Sequence, residues 1–238
     1  MRDEPDRHPD IAPAPAKPGR IVVINPNSST SVTNAISRSL AGFGGPLAPE
    51  FDCRTLALGP ATIITDLDVH SAGTQVAALA ASLVAPAAVI IACFSDPGLA
   101  ATRQQMSCPV IGVQEAAMLA AMAVAPRFGI IALSATPIPR HTRKMQQMGI
   151  LDRLALEVGL SGASAHDVGH REDLYPEILA AGQCITAAGA GAVVLGCAGF
   201  GPRRLRLQRD LGVPVIDPVL AGAAIALATV PFTQRAAS

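Results

Sequence analysis

The sequence predicts an α/β protein of two similar lobes, each a parallel sheet covered by helices, with its ligand site in the cleft between them. Three observations carry this: short continuous apolar runs alternate with helical segments, the runs recur at a nearly fixed offset, and they end in small polar turns. The strongest echo sets Ala87-Ala88-Val89-Ile90-Ile91-Ala92-Cys93 against Gly191-Ala192-Val193-Val194-Leu195-Gly196-Cys197, 104 residues on (93 to 197). Beyond it, Cys108-Pro109-Val110-Ile111-Gly112 and the Ala-rich Glu115 to Ala125 parallel Val213-Pro214-Val215-Ile216-Asp217 and Val219 to Thr229, 105 residues on (109 to 214). A third pair is Ile21 to Asn25, which runs into Pro26-Asn27-Ser28-Ser29-Thr30, and Phe128 to Leu133, which runs into Ser134-Ala135-Thr136-Pro137. Three pairs in one order give two Rossmann-like lobes, and open parallel sheets bind ligands beyond the carboxyl ends of their strands.

The elements follow in order. Residues 1–19, rich in Pro, Asp and Arg, read as a disordered tail without the apolar core of an export signal. The first α/β lobe is expected over 20–126, ending where an apolar helix meets Pro126, and the second over 127–211. Residues 212–238 supply a returning strand and helix that could close either lobe. Val76 to Phe94 is a run of 19 residues without charge, but Pro86 splits it into a helix and a buried strand, so no membrane span is expected.

Composition narrows the partners. Lys+Arg and Asp+Glu balance at 18 each, only 3% of residues are aromatic and Trp is absent. Neither a basic field nor stacking platforms are there for nucleic acid. The five cysteines form no C-x-x-C pair and have no His at zinc-ligand spacing, so reduced thiols in a cytoplasmic protein are expected, with no structural metal. A homo-oligomer acting on a small molecule is the expected assembly.

Cys93 and Cys197 stand out because they end corresponding strands. Asp96 and Pro97 look like the N-cap and first residue of a helix after Cys93, and Pro202 looks like a helix start after Cys197. Helix N-termini favour thiolate, so both thiols are expected to be activated. A lone cysteine after a strand is more often a small buried hydrophobe, but two at equivalent places in a repeat point to chemistry. Thiols on opposite walls suit removal of a proton from one face of a carbon and its return to the other. Cys53, Cys108 and Cys184 have no counterpart and read as core or surface thiols, Cys184 on a helix.

At these residues the chain resembles the hydantoin racemases, within the wider aspartate/glutamate racemase superfamily. The resemblance runs from about Arg20 to Leu227. It rests on Ile24-Asn25-Pro26-Asn27-Ser28-Ser29, Leu58-Gly59-Pro60-Ala61, Ala92-Cys93-Phe94-Ser95-Asp96-Pro97-Gly98-Leu99, Glu115-Ala116-Ala117, Leu195-Gly196-Cys197-Ala198-Gly199 and Val213-Pro214-Val215-Ile216-Asp217. It implies catalysis by Cys93 and Cys197 without cofactor or metal. It also implies substrate contacts from Asn27, with Asn25 and Thr65 as further candidates, and from Phe94, Ser95, Ser134, Ala135, Thr136, Ala198 and Gly199. Amino-acid racemases of the superfamily carry Thr-His after the second cysteine; Ala198-Gly199 here favours a 5-substituted hydantoin or related cyclic ureide. Hydantoin racemases show Glu-Ser where this chain has Ile64-Thr65, which makes one pocket wall apolar. An Asp/Glu-type racemase, a maleate-type isomerase and a non-enzymatic small-molecule binder are the alternatives; a decarboxylase, a branch that keeps one cysteine, is weaker.

Other signals carry less. His166-Asp167-Val168-Gly169-His170 has zinc-helix spacing, but Gly169 argues for a loop. Gly42-Phe43-Gly44-Gly45-Pro46 lacks the Gly-Lys-Ser/Thr of a phosphate loop and reads as a turn, no G-x-S-x-G elbow occurs, and Arg203-Arg204-Leu205-Arg206 reads as a solvated helix face.

Overall fold

The structure, a computed structural model, describes residues 19–43 and 48–233. The expected tail, apart from Gly19, and most of the Gly42–Pro46 turn lie outside them.

Apolar, largely β-branched runs form the central strands because both faces of each are covered. In the first sheet, β1 (Ile21–Asn25) and β3 (Ala88–Ile91) are fully buried, flanked by β2 (Phe51–Thr55) and the short β4 (Val110–Gly112) in the order β2-β1-β3-β4. The second sheet repeats it: β5 (Phe128–Ala132) and β7 (Ala192–Leu195) lie inside, β6 (Leu154–Gly159) and β8 (Val215–Ile216) outside, in the order β6-β5-β7-β8. Every pairing is parallel. The sequence reading missed β2 and β6, whose Asp52, Arg54 and Glu157 interrupt the apolar pattern at half-buried edges.

The crossovers are helices with local start signals. Ser29 caps α1 (Thr30–Leu40) by accepting the Val32 N–H, and Thr65 and Asp68 form a capping box for α2 (Asp66–Ala81). In the first lobe α3 (Leu99–Gln105) leads to β4; in the second, α5 (Ile138–Gln147), the one-turn α6 (Asp167–His170), α7 (Tyr175–Ala187) and α8 (Arg204–Leu211) connect the strands.

The last helix of each half crosses over. α4 (Val113–Val124) follows β4 yet lies against β7, β5 and β8, while α9 (Pro218–Thr233) follows β8 and packs on β3, β4 and α1. The returning segment therefore divides, its strand joining the second sheet and its helix covering the first. α4 and α9 pack closely on each other because their facing residues are small; a Cβ at Gly222 would come 3.0 Å from Val113 Cγ1. One apolar core consequently runs through both halves, with Phe128 and Phe200 wholly buried in it. Truncating either ring to Ala should cost about 3–5 kcal/mol.

Two minor readings are corrected. Residues 167–170 form a helical turn, not a loop, with the His166 and His170 rings stacked 4.5 Å apart. Gly169 is there for space, since a Cβ would collide with the Gly199 carbonyl. Arg203 is buried, donating to the Val168 carbonyl and pairing with Glu172, so the arginine cluster anchors α6 and α7 rather than facing solvent throughout. Among the described residues no helix is long and apolar enough to cross a membrane.

Candidate active site

The carboxyl ends of both sheets converge on one cavity, of about 520 Å³ including its mouth. The second residue beyond each inner strand lines it: Asn27 after β1, Cys93 after β3, Ser134 after β5 and Cys197 after β7. Two like lobes thus deliver one amide, one hydroxyl and two thiols to one space. Phe94, Ser95 and Ala198 also line it, and Ile63 and Ile64, with Thr62 beside them, form a largely apolar wall.

Asn27 is held by its own loop. Its Oδ1 accepts from Asn25 Nδ2 at 2.9 Å and from the Ser29 N–H at 2.9 Å, which leaves Nδ2 as its free donor. Ser134 Oγ is buried without a protein partner, a second hydrogen-bonding group available to a bound molecule.

The remaining expected contacts are not in the lining, each for a local reason. Asn25 is buried behind Asn27 and spends its amide on Asn27, Ser29 and Thr33. The Thr65 hydroxyl accepts from the Asp68 N–H to start α2. Ala135 and Thr136 are exposed beyond the turn, and the Gly199 N–H donates to Cys197 Sγ at 3.3 Å. Gly199 could not be larger, because a Cβ would collide with the Ala165 carbonyl. Cys53, half-buried on β2, Cys108 and the exposed Cys184 stand apart from the cavity.

The expected thiolate activation is corrected. Burial drives Cys93 far above the ordinary thiol range, the charges of Cys197 and Asp96 add to it, and the Ser95 N–H and Arg140 oppose it. Burial likewise pushes Cys197 up to about 11, with the Gly199 N–H lowering and Asp217 raising it. Loss of water outweighs the helix ends. The capping expectation fails for a related reason. Asp96, at φ 45°, does not cap the helix after Cys93; its carboxylate accepts the Gln114 N–H at 2.9 Å and the Glu115 N–H at 3.1 Å, capping α4. Gly98 stands at the start of α3, and Cys197 itself caps the 3-10 turn Ala198–Arg203.

The sequence reading also missed His141. It is 1% exposed on α5, lines the cavity and meets Phe94 edge-on, with its Nδ1 2.5 Å from Glu157 Oε1 on β6. On a helix otherwise bearing Arg140, Arg143 and Lys144 it looks like a surface residue; the available signal was Met145, apolar four residues on and buried beside it. Next to it, Arg140 ties two lining residues of the cavity to the start of α2, bonding Asp66 Oδ1 at 2.5 Å, the Ile64 carbonyl at 3.2 Å and Ser95 Oγ at 3.2 Å.

A pair of matched α/β halves presenting one thiol each to a shared cavity is the architecture of two-lobed racemases. Comparison with known proteins agrees. The family model described as Asp/Glu/Hydantoin racemase matches residues 21–226. A hydantoin racemase of Paenarthrobacter aurescens is 34% identical over 215 residues, covering 87% of this chain and 89% of that protein. Allantoin racemase from Klebsiella pneumoniae superposes with a TM-score of 0.83 at 30% identity, over 92% of this chain and 90% of that one. Allantoin racemase from Pseudomonas fluorescens shares the fold, with a TM-score of 0.81 at 22% identity over 92% and 93% of the two chains. The chain belongs to the Asp/Glu/hydantoin racemase family and is an enzyme of the isomerase class.

Proposed function

We propose that the protein racemises a 5-substituted hydantoin or a related small cyclic ureide, using Cys93 and Cys197 as a two-base pair without metal or organic cofactor. The observation that carries this is their delivery, from corresponding positions of two sheets, to one cavity. One sulfur, as thiolate, takes the proton from the carbon beside the ring carbonyl, and the other, as thiol, returns one to the opposite face. The ring carbonyl itself accepts the electron pair, and the free Asn27 Nδ2 and the unpartnered Ser134 Oγ would stabilise the resulting oxyanion. The charge of Cys197 disfavours ionisation of Cys93, which supports one thiolate and one thiol at a time.

The lining favours a neutral ring over an amino acid or a dicarboxylate. Among the described residues it contains no Lys, Arg, Asp or Glu to meet a substrate's charges; His141 in the lining is bonded to Glu157, and Arg140 is already engaged by Ser95, Asp66 and Ile64. An unpaired ionic substrate in such a wall would carry a desolvation cost of several kcal/mol.

Enantiopure 5-substituted hydantoins, allantoin, aspartate and glutamate incubated with the enzyme in deuterated water provide the test. Loss of optical rotation together with deuterium at the stereocentre is expected for a cyclic ureide and not for the amino acids. Absence of exchange on every ureide, or faster turnover of an amino acid, would sink the assignment.

A further inference from the structure

The two thiols have a supply problem: burial holds both protonated, yet the proposed chemistry needs one sulfur ionised. We propose that the buried His141–Glu157 dyad solves it by accepting one proton from the thiol pair and keeping it, so that the cavity holds a single thiolate balanced by an imidazolium. The inference deepens the racemase reading and rests on it for its purpose. It assigns His141 as a positioning residue for charge, acting through the sulfurs.

The geometry supports this in three ways. Glu157 Oε1 lies 2.5 Å from Nδ1, so with Glu157 ionised Nδ1 carries the hydrogen and Nε2 is left with a lone pair. His141 lines the same cavity as both cysteines and is the lining's only ionisable side chain besides them, among the described residues. Glu157 Oε2 is buried with no hydrogen-bond partner among the described residues, so the His141 ring is the group seen to hydrogen-bond this buried carboxylate.

The surrounding charged groups are otherwise committed. Arg140, preceding it on α5, bonds Asp66 and Ser95, and Lys144, three residues on, pairs with Glu115. Asp96 accepts two N–H groups of α4, and Asp217 accepts two of α9. His166, on the loop before α6, bonds Ser31.

In the transfer, the S–H bond of one cysteine breaks, its electron pair stays on sulfur, and the proton forms an Nε2–H bond. During turnover the substrate's proton passes to the thiolate while the other thiol's proton passes to the opposite face. The anion moves from one sulfur to the other, and His141 retains its proton throughout.

Alkylation by iodoacetamide, followed for each cysteine by peptide mass spectrometry across pH, reads the thiolate fraction without any substrate. In H141Q the midpoint for reaction at the cavity cysteines should rise by about one pH unit or more, with kcat near neutrality falling roughly tenfold, KM little changed, and the deficit closing as pH rises. E157Q, nearly isosteric, should move both profiles the same way by less, and serves should H141Q not fold. Cys184, exposed, is the internal reference and should not shift. Unchanged alkylation and kcat profiles in both variants would overturn the dyad's role even if the wild type racemises ureides. A wild type that exchanges no substrate hydrogen would instead overturn the racemase reading and leave the alkylation result to judge the dyad.

Discussion

The two cysteines occupy the same topological position and live in different electrostatic surroundings. Around Cys93, the following loop turns a buried carboxylate, Asp96, onto the start of α4, and that charge pushes the thiol higher. Around Cys197, the following turn aims the Gly199 N–H at the sulfur, as the Ser95 N–H meets Cys93, while the carboxylate that raises it, Asp217, comes from the end of β8 and caps α9. Duplication of a fold thus repeats the geometry of its strands and leaves the loops free to differ. Here the difference favours an anion on Cys197, which under the proposed two-base scheme would put the resting base in the second lobe and the acid in the first.

The largest expected effect tests this directly. Cys93→Ala and Cys197→Ala should each lower racemisation by about 10²–10⁴-fold, the usual contribution of a positioned acid or base. The residual chemistry should differ. Cys93→Ala keeps the more acidic thiol and should still exchange the hydrogen of one enantiomer with deuterated water, with retention, near neutral pH. Cys197→Ala should do so for the opposite enantiomer and only at higher pH. Equal exchange profiles would break the asymmetry, and wild-type racemisation in either variant would remove the two-base scheme.

How much of this was legible in the sequence follows from the same contrast. The inner strands were readable because they are buried on both faces and appear as continuous apolar runs, and their repeat placed Cys93, Cys197, Asn27 and Ser134 together. The edge strands β2 and β6 were not, since half-buried edges tolerate charge, and with β6 went Glu157 and any reason to notice His141. Asp96 was read as a local cap because an Asp-Pro pair normally starts the next helix; its true partner lies on α4, across a tertiary contact that no local rule encodes. Thr65 erred in the opposite direction, a residue given a substrate contact whose hydroxyl is spent on an ordinary capping box.

The cavity mouth shows a second inequality between the halves. The first-lobe loop ahead of α2 is gripped by an arginine of the second lobe, whereas the second-lobe loop before α6 is tied back through His166 Nδ1 to Ser31 Oγ at 2.9 Å. A lysine cannot reproduce the arginine fork, which reaches Asp66, Ile64 and Ser95 together. Arg140→Lys should therefore lower kcat/KM by roughly tenfold, the equivalent of about 1.4 kcal/mol, and more steeply at high salt. Ser31→Ala, losing one exposed contact, should change it by no more than about twofold. The reverse ranking would show that the mouth is controlled from the second-lobe loop.

The smallest expected effect is thermodynamic and separates the two carboxylates from the thiols they surround. Burial raises Asp96 to about 7 in the folded protein, against the pull of its two N–H partners, whereas a carboxyl in the unfolded chain titrates near about 3.9. Its contribution to stability is therefore full below about pH 4 and is lost as pH rises through about 7. Asn at this position keeps the left-handed backbone, cannot titrate, and accepts less well from the two α4 N–H groups, so Asp96→Asn should cost about 1 kcal/mol at low pH. That deficit should shrink as pH rises from about 4 to about 7, read as the difference between urea unfolding curves of wild type and variant. Because the same substitution removes a charge beside Cys93, that thiol should become more reactive to alkylation while Cys197 stays as it was. A deficit independent of pH would mean that Asp96 titrates as it does in the unfolded chain, so that burial does not govern this carboxylate and its full charge bears on Cys93 at neutral pH.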